Sequence, residues 1–212
     1  MATVFITGAG GFMGSRLAAE LLRRGHTVRG LVRRGPAPAG CETVMGNALD
    51  SGTWADRIPG CDTFVHLVGV AHPSPAKAAQ FRSIDFAGAR VAIAAARATG
   101  IAHFVYVSVA HPAPVMREYI AARTEAEAAL RASGLNATIL RPWYVLGPGR
   151  WWPLMLLPAY WLMEAIPTTR ADARRLGLVR WQQMILAMAN AVDRPPQGVR
   201  VLEVPDIRRA SA

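Results

Sequence analysis

The 212-residue sequence predicts an α/β protein built as a doubly wound parallel sheet with a small C-terminal cap. Three observations lead there. Short, apolar, β-rich runs alternate with helix-period segments along the first two thirds of the chain. A glycine-rich turn, TGAGGFMG (Thr7 to Gly14), joins the first such run to the first helical segment. Hydrophobic residues make up 52% of a chain long enough for one sizeable core and short for two independent ones.

The first strand is expected over Ala2 to Ile6. A helix follows from Phe12 to Arg24, where Phe12, Leu17, Leu21 and Leu22 recur at helical spacing. Further strands are expected at Thr27 to Val32, Thr43 to Met45, Thr63 to Val68, His103 to Val107 and Ala137 to Leu140, with helices near Ala76 to Ala98 and Val115 to Ala132. Gly100 and Gly134 stand where two of these helices should stop, at positions suited to a positive φ. Strand and helix in repeated turn imply a parallel sheet covered on both faces.

After Arg141 the pattern changes. Pro148, Pro153 and Pro158 interrupt a tryptophan-rich stretch and prevent one regular helix. A helix from about Leu178 to Val192 and a last strand, Arg200 to Val204, complete the reading. The organisation expected is a dinucleotide-binding region, 1–149, and a small cap, 150–212, in one globular unit. The uncharged run Trp151 to Met163 is 13 residues long, below the roughly 20 that a membrane-spanning helix needs. Buried, which is the preferred reading, it is the core of the cap; exposed, it would mark an oligomer, protein-partner or peripheral membrane contact.

Lys77 is the one lysine among 24 basic residues, and with 14 acids the formal charge is +10. That charge is spread along the chain without a dense basic tract, which argues against nucleic acid as a partner. Cys41 and Cys61 form neither a metal pattern nor a disulfide framework, and no histidine pair has metal-ligand spacing, so no metal is expected. His66 and His72 flank the loop after a strand, where solvated or core roles are expected. The opening MATVFITG enters an apolar run at once, leaving no room for a signal peptide, so the expected location is cytoplasmic.

In the glycine turn, Gly8 permits the tight bend, Gly11 lets a pyrophosphate approach the backbone and Gly14 allows close helix contact, while the helix N-terminus offers free N–H groups. The spacing TGxxGxxG resembles that of the short-chain dehydrogenase/reductase superfamily, especially its extended and atypical branches, which share the Rossmann-type fold. The resemblance continues through VMGNALD, DTFVHLVGVAH, HFVYVSVA, the Tyr119 helix and ATILRPWYVLGPG, in the family's order.

What the resemblance implies is a cofactor site formed by Thr7, Gly8, Gly11, Phe12, Met13, Gly14, Asn47, Ala48, Leu67, Val68 and Gly69, with Tyr119, Arg123, Pro142 and Trp143 at the nicotinamide end. The acid that selects NAD after the second strand is replaced by Arg33 and Arg34, which suit a 2′-phosphate, so NADP is expected ahead of NAD. The family's serine and Tyr-x-x-x-Lys pair fall on Ser108, Tyr119 and Arg123. Arginine keeps the lysine's charge but is planar, wider and always protonated. The expected function is therefore NAD(P)-dependent oxidoreductase or epimerase-like chemistry on a small carbonyl or hydroxyl compound. The alternative is a non-catalytic NADP(H)-binding sensor or assembly protein.

Overall fold

The computed structural model describes residues 1–71, 73–113, 115–149 and 151–210, apart from the side chains of Trp152 and Ala159; His72 thus lies outside the described residues. Seven strands form one sheet in the order β3-β2-β1-β4-β5-β6-β9, every neighbouring pair parallel. They are β1 (Thr3–Thr7), β2 (Thr27–Val32), β3 (Glu42–Met45), β4 (Thr63–His66), β5 (His103–Val107), β6 (Ala137–Leu140) and β9 (Val199–Leu202). A second, two-stranded sheet pairs β7 (Tyr144–Leu146) with β8 (Leu178–Arg180). The order reverses between β1 and β4, which opens a crevice at the carboxyl ends of these strands.

Alternation along the strands builds two cores. On β1, Val4 and Ile6 face one layer and Phe5 the other. The first layer is covered by α1 (Phe12–Arg23) and α7 (Trp181–Asp193), which pack on each other. The second lies under α3 (Ala87–Ala98) and α4 (Arg117–Ala132). There Phe5, Phe64 and Phe104 stand directly opposite one another on β1, β4 and β5, their ring centres 5.2 Å apart. Such cross-strand aromatic pairs fix the register of the central strands.

The long helical segment before β5 is not uniform. A short turn, α2 (Ala78–Gln80), runs into a π-helical stretch, Phe81–Phe86, before α3 begins. The wider π turn brings Asp85 inward, fully buried.

The region after Gly149 differs from the expected cap. Leu178 to Arg180 is a strand and the helix begins at Trp181, because Gly177 and three β-compatible residues precede the first helical period. The last strand ends at Leu202, since Pro205 opens the short helix α8 (Val204–Arg208). Strand β9 completes the main sheet, and Met184, Ile185, Met188 and Val192 of α7 enter the first core. The segment between β7 and β8 holds two short helices, α5 (Leu157–Ala165) and α6 (Arg170–Arg175), which pack on each other, α6 also against α8. The preferred burial of the apolar run is overturned. Trp161 and Leu162 are each 66% exposed and Met155 82%, with Trp151, Leu154 and Ile166 also exposed. The reason is local: α5 is apolar on nearly every side, so packing one face on α6 leaves the other in solvent.

Candidate active site

Two clefts meet at the glycine turn. The larger, of about 860 Å³, runs from Gly8, Gly10 and Gly11 over the ends of β2 and β4 to Arg33 and Arg34. The smaller, of about 440 Å³, lies on the other side of the turn among Phe12, Met13, Val145, Pro148 and Met184, with Arg123 as its one charged wall residue among the described residues. Gly8, Gly11, Leu67 and Ala71 belong to both.

The turn has the shape that a pyrophosphate needs. Gly8 sits at φ +76°, a conformation that side chains rarely adopt. A Cβ on Gly14 would collide with the carbonyl oxygen of Gly8, so helix and strand approach as only glycine allows. Gly11 caps α1 with extended backbone, the first turn holds no acid and, among the described residues, no side chain caps its N–H groups. They and the positive end of the helix face the junction of the clefts, a place that favours an anion. Chain and group fit each other there.

In the larger cleft Ala48, Leu67, Val68 and Gly69 form walls, and the exposed Arg33 and Arg34 stand at its end beside Asn47. The Asn47 side-chain oxygen accepts from the Leu49 N–H at 3.2 Å, which orients this side chain from within its own turn. Thr7 is turned away from the cleft: its hydroxyl shares a hydrogen bond of 2.9 Å with Nδ1 of the buried His66. Burial holds the His66 imidazole neutral, with its pKa pushed down to about 3. His66 is thus a core residue.

Tyr119 and Arg123 share one face of α4, the guanidinium carbon 5.2 Å from the centre of the tyrosine ring. Arg123 itself is buried. Its Nη2 donates to Asp85 Oδ1 at 2.5 Å, and its Nη1 donates to the Val107 carbonyl at 2.7 Å and lies 3.4 Å from the Tyr106 hydroxyl. Burial works against the charge of Arg123, but Tyr119, Tyr106 and Asp85 outweigh it and hold the guanidinium protonated more firmly than usual. Burial pushes the Asp85 carboxyl up. Both its oxygens nevertheless accept from N–H donors, Arg123 and the Val70 backbone at 3.1 Å, so the geometry is that of an ion pair. A Cβ on Gly69 would collide with both charged groups, so this glycine makes room for the pair beneath the cleft floor.

Ser108 does not line either cleft among the described residues. Its hydroxyl donates to Glu127 Oε1 at 2.6 Å, and Glu127 is also gripped by Arg141 through Nη2 at 2.5 Å and Nε at 3.0 Å. Although burial raises the carboxyl of Glu127, the bonds from Arg141 and Ser108 bring it below the usual carboxylate range. Arg141 extends the network to Glu203 at 2.9 Å, just beyond β9. Pro142 is buried and accepts from the Ala110 N–H, while Trp143 packs at the edge of the first core with its ring 5.5 Å from that of Tyr144.

Sequence reasoning did not single out Asp85, which pairs with Arg123, or Glu127 and Arg141, which hold Ser108. Asp85 had a signal: a lone carboxylate inside FRSIDFAGARVAIAAA, with alanine and aliphatic neighbours, has to find a buried cation. No group of three or more histidine, cysteine or acidic side chains suited to a metal occurs among the described residues.

Residues 8–148 match the family described as NAD(P)H-binding. A ceramide reductase from Caulobacter vibrioides (strain NA1000 / CB15N) is 30% identical over 212 residues, covering 97% of this chain and 65% of that protein. The 4-hydroxy-2-methyl-3-oxo-4-farnesyl-3,4-dihydroquinoline-1-oxide ketoreductase of Stigmatella aurantiaca is 29% identical over 191 residues, covering 78% and 55%. The chain therefore spans roughly three fifths of the length of these relatives. Among solved structures, MoeE5 in complex with UDP-glucuronic acid and NAD superposes with a TM-score of 0.74 at 22% identity, covering 95% of this chain and 76% of that one. The Bordetella bronchiseptica enzyme WbmH in complex with NAD+ gives 0.70 at 22%, covering 96% and 75%. With the glycine turn, the strand order and the family match in agreement, the chain belongs to the NAD(P)H-binding family of the short-chain dehydrogenase/reductase superfamily.

Proposed function

We propose that the protein is an oxidoreductase that uses NADP(H) in preference to NAD(H) and acts on a carbonyl or hydroxyl compound with an apolar body. The observation that carries this reading is the junction of two clefts at the phosphate turn, with Arg33 and Arg34 at the far end of one and Arg123 in the wall of the other. The bound cofactor would supply the two-electron redox chemistry. Arg33 and Arg34 would hold a 2′-phosphate, the N–H groups of Phe12, Met13 and Gly14 the pyrophosphate, and Leu67 to Gly69 the neighbouring ribose and ring. Tyr119 would pass the proton to or from the substrate oxygen, with the fixed charge of Arg123 5.2 Å from its ring centre. Ser108, engaged by Glu127, would shape the base of this region.

Phe12, Met13, Val145, Pro148 and Met184 give the smaller cleft an apolar lining, which suits a lipophilic substrate. Two relatives carry names of the same sense, a ceramide reductase and a ketoreductase of a farnesylated quinoline. The non-catalytic sensor is favoured by a different observation, the commitment of both Arg123 Nη atoms to protein acceptors.

Fluorescence titration with NADPH and NADH, followed by a screen of long-chain ketones for cofactor oxidation, tests the reading. NADPH is expected to bind more tightly. Replacing Arg33 and Arg34 with alanine should remove most of the preference, since charge-assisted bonds to phosphate contribute roughly 1.5 to 3 kcal/mol each. Tyr119→Phe should leave cofactor affinity nearly unchanged and lower turnover by roughly 10² to 10⁴. Equal affinities for the two cofactors defeat the NADP assignment; turnover indifferent to Tyr119→Phe defeats the catalytic one.

A further inference from the structure

The segment from Trp151 to Ile166 has no role in the site as described, yet it begins two residues after Gly149, a wall residue of the smaller cleft. Its exposed side chains, Trp151, Leu154, Met155, Trp161, Leu162 and Ile166, make an apolar surface of a kind that a water-facing protein seldom shows without a use. We propose that this surface, centred on α5, docks the protein on an anionic lipid bilayer, so that the mouth of the smaller cleft lies beside the membrane. The delivery role rests on the lipophilic substrate proposed above; the docking itself does not.

Three features favour a bilayer. The first is residue type: two exposed tryptophans with leucine and methionine suit the boundary between headgroups and acyl chains. The second is size, since α5 has nine residues and is too short to cross a membrane but long enough to lie in its surface. The third is charge. From Glu164 to Arg180 there are four arginines and two carboxylates, and α5 packs on α6, which places Arg170 and Arg174, both exposed, next to the apolar face. The contact of Arg174 with Glu164 is 3.9 Å between exposed groups, and among the described residues Arg170 bonds the backbone carbonyls of Glu164 and Ala165 at the end of α5, so both can face lipid phosphate. Arg175 is paired with Asp172 at 2.8 Å and contributes less. A second copy of the chain would meet the same excess of arginine and be repelled where an anionic surface is attracted.

The test is co-sedimentation of the full chain with phosphatidylcholine vesicles, with and without phosphatidylglycerol. It is run beside size-exclusion chromatography and NADPH titration of the same samples. The chain is expected to sediment with the anionic vesicles, to release as salt rises, and to show a blue-shifted tryptophan emission when bound. Trp161→Ser with Leu162→Ser should reduce partitioning by at least roughly tenfold, because removing two large apolar side chains costs more than the 1.4 kcal/mol that tenfold represents. Arg170→Gln with Arg174→Gln should abolish the preference for anionic lipid. All variants should bind NADPH as the unmodified chain does, which separates loss of docking from loss of the fold or of the cofactor site. Absence from both kinds of vesicle overturns the proposal, as does binding unaffected by the apolar pair. A dimer that the apolar pair dissociates, without vesicle binding, assigns the surface to a second copy instead. Vesicle docking in a protein that turns over no lipophilic carbonyl would retain the docking and reject the substrate reading.

Discussion

Asp85 and Arg123 form the buried ion pair behind the wall of the smaller cleft. An ion pair out of water survives only because each partner meets the other and further hydrogen bonds besides, and breaking it leaves a charge that nothing compensates. Arg123→Ala is therefore expected to lower stability by roughly 3 to 5 kcal/mol as well as to alter the site. Asp85→Ala should cost a similar amount, whereas the double replacement should cost much less than the sum, a coupling that urea denaturation of the four proteins measures. If the two costs simply add, the pair does not act as a unit. Arg123→Lys should retain the ion pair with Asp85 and still reach a ribose hydroxyl, since a lysine ammonium is compact where the guanidinium is wide and planar. The same variant separates the two readings of the protein: an oxidoreductase keeps or raises its turnover, and a sensor changes only in cofactor affinity.

At the level of elements, the glycine turn divides its labour. Gly14 belongs to the contact between α1 and the β1 turn, where a Cβ would collide with backbone that cannot yield like a side chain. Gly14→Ala should destabilise the protein by roughly 1 to 3 kcal/mol, the cost of overpacking. Gly11 is different: a Cβ there would come within 3.2 Å of the Gly8 carbonyl oxygen and otherwise reach open space. Gly11→Val should leave the thermal midpoint closer to that of the unmodified protein and abolish cofactor binding by filling the space of the pyrophosphate. Thermal melts and NADPH titration of the two variants should therefore give opposite orders of damage. The π-helical stretch before α3 is the other element with a task, since an ordinary α-helical turn there would shift Asp85 out of line with Arg123.

Over the whole molecule, buried histidines make acid the weak point. His66 and His103 are held neutral by burial, their pKa values lowered to about 3 and about 4 from 6.5. The unfolded chain takes up these protons first, so their contribution is fully present above about pH 6.5 and declines as the pH falls toward 4. The loss for each histidine is roughly 1.4 kcal/mol per pH unit in that window. Urea midpoints between pH 7.5 and 4.5 should fall steeply, roughly half as steeply for His66→Gln. A flat profile in the unmodified protein would show that these rings titrate as they do in water.

The sequence by itself determined the strand and helix alternation, the phosphate turn and the pairing of Tyr119 with Arg123. Each depends on neighbours within about eight residues: period, glycine position and a spacing of four on one helix face. Sequence reasoning also placed Ser108 at the end of β5, since its strand is a clear apolar run, but not the direction of its hydroxyl. That direction depends on Glu127 and Arg141, brought in from α4 and the end of β6. Nor could local pattern show that Leu178 to Arg180 pairs with Tyr144 to Leu146, that β9 joins the main sheet beside β6, or that Asp85 meets Arg123 across 38 positions of chain. The exposure of Trp161 and Leu162 likewise needed the fold, because an all-apolar helix carries no period that says which side is covered. Partners distant in the chain are chosen by packing and by the matching of buried charges, and those exist only once the layers have closed.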